Sequence, residues 1–311
     1  MASSGIGGQA VMEGVMMKNK DQYAVAVRKP DQTIVVEQKE YRSVCRSEKL
    51  RKVPLLRGVI NFIDSLVLGM STLTFSASFF EEDEETEKRL DVEKTEASEK
   101  KEKAMMGVTM VVSVVLALGI FMVLPYYLSL LFQRVIANQT VVILLEGCIR
   151  LFIFIMYIVL ISRMKEIKRV FMYHGAEHKC INCIEHGLEL NVENVRKSSK
   201  EHKRCGTSFL FFVVIISIIA TMFIRTDSGI LRLVLRLAII PVIAGISYEF
   251  IRLAGRSENP VVNLLSKPGL WMQKLTTKEP DDAMIEVGIA SVEAVFDWKS
   301  YVAGLHQEEL A

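Results

Sequence analysis

"VVILLEGCIRLFIFIMYIVLIS", residues 141–162, decides the fold class of this 311-residue chain. A run of about 20 apolar residues is what an α-helix needs to cross a bilayer. Three similar runs stand around it, and the spans are expected at 105–132, 140–161, 207–225 and 230–252. Half of all residues are hydrophobic, and they gather in long blocks separated by charged segments. A net charge of +2 averages over segments of opposite character and gives no argument for nucleic-acid binding.

Lys and Arg in short loops set the orientation. The loop 162–206 carries ten of them, whereas the turns 133–139 and 225–229 carry one each, Arg134 and Arg225. The first 54 residues carry ten as well. The long loop and both termini are therefore expected in the cytoplasm. No basic stretch followed by an apolar core opens the chain, so no cleaved signal peptide is expected. Five cysteines, three of them clustered with histidines, fit reduced thiols better than a disulfide framework.

Outside the spans the chain divides into four further segments. Residues 1–54 form a β-rich segment: 19–45 alternates apolar and polar positions around "KPDQ", predicting a hairpin, and the glycine-rich "GIGGQAVMEGVMM" before it reads as a loop entering a small sheet. Residues 55–80 are long enough to cross a bilayer but carry Arg57, Asn61 and Asp64. Charge within a span is costly, so an interfacial or re-entrant helix is the better expectation. Residues 81–104 are a Glu/Lys-rich solvated linker, and 253–311 a soluble segment with a helix starting at Asp281 or Asp282. The fold expected is mainly α: a four-helix transmembrane bundle over 105–252, an interfacial or re-entrant helix, and a small β-rich cytoplasmic segment.

Charges also fall inside the spans. Glu146 and Arg150 are four apart, as are Arg232 and Arg236. If the second and fourth spans both enter from outside, Glu146 and Arg236 lie at similar depth, which predicts an ion pair between helices over a transport path.

Chemistry points to "FMYHGAEHKC", 171–180. His174, Glu177 and His178 follow H-x-x-E-H, the inverted zinc-protease pattern, in which two histidines bind metal and the glutamate handles protons. Four of the five histidines (174, 178, 186 and 202) fall within the 162–206 loop. His174 and His178 would supply two ligands to a divalent metal, zinc above all. The third would be His202, Cys205 or Glu249, and Glu177 the general base. Cys180 and Cys183 form a C-x-x-C, a weak signal on its own.

"GGQAVMEGVMM", "VPLLRG" (53–58), "YHGAEHK" (173–179), "HKRCGTSF" (202–209), "ISYE" (246–249) and "LTTKEP" (275–280) occur in that order. Over nearly its full length the chain resembles a widespread bacterial family of multi-pass membrane proteins of unknown function, described as predicted metal-dependent enzymes. The resemblance implies a bacterial inner-membrane location. It also implies that His174, Glu177, His178, His202, Arg204 and Cys205 belong to the shared motif core, with Glu13, Arg57 and Glu249 in further shared blocks. Cys180 and Cys183 depart from the family pattern, and no substrate is implied. Three functions follow as expectations: a metal-dependent membrane enzyme, with hydrolysis the reaction class that the motif suggests; a scaffold or assembly factor with a structural metal; or a transporter using the intramembrane charges.

Overall fold

The computed structural model describes residues 4–85, 96–133, 135–224, 226, 228–257 and 259–310. It divides into two compact units, Met1–Glu81 with Val159–Val213 and Ile239–Ala311, and Glu82–Ile158 with Val214–Ala238.

The first unit opens with four strands, β1 (Gly7–Val11), β2 (Gly14–Asn19), β3 (Gln22–Arg28) and β4 (Ile34–Glu40), in an antiparallel meander of order 1-2-3-4. The hairpin expected within 19–45 is β3–β4. The glycine-rich stretch expected as a loop is instead β1 and β2, paired from Gly7 with Lys18 to Val11 with Gly14. Its two-residue turn places Glu13 at φ 48°, a left-handed conformation that most side chains avoid. Alternation sorts the strands into two faces. Val15, Met17, Ala24 and Ala26 look one way, and Val11, Met16, Tyr23, Val25 and Val27 the other.

Helix α1 (Leu56–Glu85) covers the second face with Leu68, Phe75, Phe79 and Phe80. Three polar residues of α1 bind neighbouring segments. Arg57 pairs with Glu249, Asn61 Nδ2 donates to the Tyr248 hydroxyl at 2.9 Å, and Asp64 accepts from Tyr41, Ser43 and the Val44 N–H. Turned away from the sheet are Ile63, Leu66, Val67, Met70 and Leu73, an exposed apolar stripe at helical spacing.

Helix α2 (Glu96–Leu118) runs through a π-helical turn at Gly119–Val123 into α3 (Leu124–Phe132), and α4 spans Gln139–Ile161. Of the linker expected at 81–104, residues 86–95 lie outside the described residues, as do Arg134 and Arg225. Helix α5 (Lys165–Glu185) is followed by α6 (Val192–Lys197), α7 (Gly206–Thr221), α8 (Gly229–Ala238) and α9 (Ile240–Ala254). Then come α10 (Pro260–Thr276), α11 (Asp282–Val295) and α12 (Trp298–Leu310). The first sheet face is packed by α5 and α11. Asp281 caps α11 by accepting from the Met284 N–H at 2.9 Å. Each fully buried aliphatic side chain in this core, such as Ile181 or Val287, contributes roughly 1.5–3 kcal/mol.

The chain is mainly helical, and among the described residues four helices are long and apolar enough to cross a membrane: Leu56–Phe80, Gly107–Phe132, Gln139–Ile161 and Gly229–Ala254. The third expected span, 207–225, is shorter. Its α7 has 16 residues and then tightens into turns whose N–H groups bond three residues back, from Met222 to Ile224. In the second unit, Arg236 donates to both carboxylate oxygens of Glu146 at 2.6 and 2.9 Å. Arg150 joins Glu146 at 2.9 Å and the Ser217 hydroxyl at 3.0 Å.

Asp64→Ala is expected to remove the buried acceptor of three hydrogen bonds, at roughly 1.5–3 kcal/mol for a charged acceptor. Trypsin should then cut the basic 42–52 segment faster than in the wild type; unchanged cleavage would show that Asp64 does not hold this segment down.

Candidate metal centre

α5 explains the site from the residues upward. From Tyr173 to Ile184 the helix is almost wholly buried between sheet and α11, with His174 alone half-open. A buried polar group must find a partner inside the fold. Lys179 Nζ donates to the carbonyls of Arg196 and Ser198, Asn182 Nδ2 to those of Ser199 and Glu201, and His178 Nδ1 lies 2.7 Å from the Lys200 carbonyl. The irregular chain 196–201 is thus moulded on α5 by its own carbonyls, and this delivers Cys205 to the histidines.

His174, His178 and Cys205 each offer a ligand atom within 4.8 Å of the others. His174 Nδ1 sits 2.9 Å from the Thr276 carbonyl and its Nε2 3.3 Å from Cys205 Sγ. Both imidazoles therefore give the Nδ1 proton to a backbone carbonyl, which leaves Nε2 for a ligand bond; this is how metal-bound histidines are usually oriented. Cys205 sits at the amino end of α7, and the Thr207 N–H donates to its sulfur at 3.4 Å. Burial pushes the Cys205 thiol up, but His174 and His178 outweigh it and hold the group well below its usual range, as a thiolate. Burial pulls His174 down, and the Cys205 sulfur, Glu177 and the Thr276 carbonyl more than reverse this, raising it to about 9.

Glu177 is buried beside the three. Burial raises its carboxyl above the ordinary value, against the pull of His178 and His174 and an N–H bond from Gly8. Strand β1 passes so close that a Cβ on Gly8 would lie 2.8 Å from Glu177 Cγ.

The other candidates fall elsewhere. His202 Nε2 faces Glu185 at 3.4 Å, with Arg204 on the same carboxylate, and its ring centroid is 5.7 Å from that of His178. Burial holds the His202 imidazole below its usual value. Glu249 pairs with Arg57, and Glu13 with Arg169 and the Tyr173 hydroxyl. Cys180 and Cys183 belong to the core, the former beneath Gly288. Sequence reading missed the partners that shape the site: Lys200 and Thr276 act through main-chain carbonyls, which leave no residue signature. It also missed Glu185 and Gln273; the fully buried Gln273 clasps His202 by accepting from its N–H at 2.8 Å and donating to its carbonyl at 2.7 Å.

Residues 53–298 match the model of a family described as "Protein of unknown function (DUF1385)". The chain is also similar to the uncharacterized protein YqhQ of Bacillus subtilis (strain 168), 37% identical over 286 residues, covering 92% of this chain and 90% of that protein. No solved structure matches it.

Gly175→Ala is expected to destabilise the fold by about 1–3 kcal/mol, since its Cβ would overlap the Lys278 carbonyl oxygen and push α5 off its neighbours. Thermal unfolding in detergent measures this, and an unchanged midpoint would refute the close packing. Glu185 gives a pH signature. Burial would raise its carboxyl, but His202, Arg204 and Ser4 bring it to about 2, below the unfolded value near 4.5. Its stabilisation is therefore complete above about pH 4.5 and lost as pH falls toward 2. Glu185→Gln should flatten stability against pH across that window and leave the neutral-to-alkaline slope unaltered.

Proposed function

Since the chain belongs to the DUF1385 family of membrane proteins, whose function is not established, we propose from its geometry that it is a zinc-dependent membrane enzyme of hydrolytic type. The observation that carries this reading is the pair of carbonyl-pinned imidazoles whose ligand atoms converge with the Cys205 sulfur. Two imidazole nitrogens and a thiolate are a donor set suited to zinc, and three protein ligands leave a position open, as catalytic sites require. A bound zinc supplies Lewis acidity, polarising a carbonyl or phosphoryl oxygen. Glu177 takes the proton of the attacking water and returns it to the leaving group, and its raised pKa suits both halves of that exchange. The Gly8 N–H holds the carboxylate in place. His202 and Glu249 lie outside the ligand set in this reading, and Arg57, Arg204 and Glu13 act as structural partners.

The same reading places α1 along the inner face of a bacterial cell membrane, with its Ile63–Leu73 stripe in lipid, the site on the cytoplasmic side and the substrate in or near the bilayer. Against hydrolysis, one observation favours a structural zinc in a scaffold protein: His178 and Cys205 are only 1% and 4% exposed.

Metal analysis of the purified protein separates these outcomes. Stoichiometric zinc is expected, with a drop in the unfolding midpoint on chelation that added zinc restores. His178→Ala should abolish both zinc and complementation of a deletion strain. Glu177→Gln should keep the zinc and lose complementation. Retained complementation in Glu177→Gln would leave the structural role, and the absence of zinc from wild type would overturn both.

A further inference from the structure

The outer face of α10 has no partner among the described residues. Val261, Leu264, Leu265 and Trp271 are 64%, 61%, 53% and 51% exposed. With the exposed Pro268 they fall within about 120° of arc at 3.6 residues per turn. The adjoining face is buried: Ser266, Gly269, Met272, Gln273 and Thr276 pack into the unit. Lys267 and Lys274, both exposed, border the apolar stripe on its far side.

The chain itself identifies what covers such a face. α9 closes the Gly229–Ala254 segment, which is long and apolar enough to cross a bilayer, and only five residues, Gly255–Asn259, separate it from α10. α10 thus begins where the chain leaves the membrane. Its inner face meets α7 at that helix's amino-terminal end, with Gln273 Nε2 on the Ser208 hydroxyl at 2.8 Å and Gly269 against Ser208 and Phe212. An apolar stripe with a tryptophan in it and lysines along its edge is the pattern of a helix lying in the headgroup boundary, where Lys ammonium groups meet anionic lipid.

We propose that α10 is an in-plane membrane helix, with Val261, Leu264, Leu265 and Trp271 in the upper acyl region and Lys267 and Lys274 at anionic headgroups. The Thr276 carbonyl, which orients His174, ends this same helix, so the candidate centre sits at the lipid surface. The inference does not depend on whether a metal is bound there.

The chain has two tryptophans, and the other, Trp298, is 9% exposed in the core. The full-length protein in vesicles of phosphatidylcholine and phosphatidylglycerol, with bromine atoms at defined acyl depths, isolates Trp271 as the difference between wild type and Trp271→Phe. That surface replacement leaves the core untouched. The expected result is a severalfold loss of the Trp271 emission, greatest for bromines about 5–10 Å below the headgroups, and little quenching by aqueous acrylamide. Quenching by acrylamide but not by bromolipid would put the stripe in water and overturn the proposal. Protection from both would bury it against a protein, a second copy included, and overturn it equally.

Discussion

A helix buried on nearly every side cannot leave its polar side chains unsatisfied, and α5 carries His174, Glu177, His178, Lys179 and Asn182 within nine residues. This constraint shapes the first unit. His174, His178, Lys179 and Asn182 therefore take up main-chain carbonyls of 196–201 and of Thr276, while the Glu177 carboxylate accepts from the Gly8 N–H. The segment between α6 and α7 has no regular structure of its own, yet its carbonyls from Ser198 to Glu201 are each bound by an α5 side chain. Breaking one such bond leaves a buried donor and costs about 1–3 kcal/mol, more than the net gain from an average hydrogen bond. The order of the site is therefore inherited from the burial of α5.

The sheet and α11 supply that burial. Strand alternation gives the sheet two apolar faces, and a sheet with two apolar faces needs a layer on each. One layer is α5 with α11, and the other is α1. The polar residues of α1 that weigh against a plain transmembrane helix are those that dock it to its neighbours: Asp64 to the 41–44 chain, Arg57 to Glu249 and Asn61 to Tyr248.

Local patterns made some of this readable. The 3.6-residue period put His174, Glu177 and His178 on one side of a helix, long apolar runs marked three of the helices long enough to cross a membrane, and Asp281 after Pro280 announced α11. The choice of Cys205 over His202 and Glu249 was not readable. It rests on a contact across 31 residues of chain, fixed by carbonyls that any residue could present. Strands β1 and β2 were hidden for a different reason: glycine signals a loop by composition, but here Gly8 lets a backbone strand pass against Glu177. The apolar stripe of α10 was masked by the lysines and the proline among which it is written.

The groups around His174 come from distant parts of the chain. Gly8 reaches Glu177 from the first strand, Cys205 follows 31 residues after His174, and the Thr276 carbonyl comes 102 residues after it. During synthesis the strand and α5 leave the ribosome before α10, which emerges only after the last long apolar helix. Until then His174 has no carbonyl to fix its tautomer. The centre closes only around a nearly finished chain, so nascent or truncated forms lack a fully oriented site.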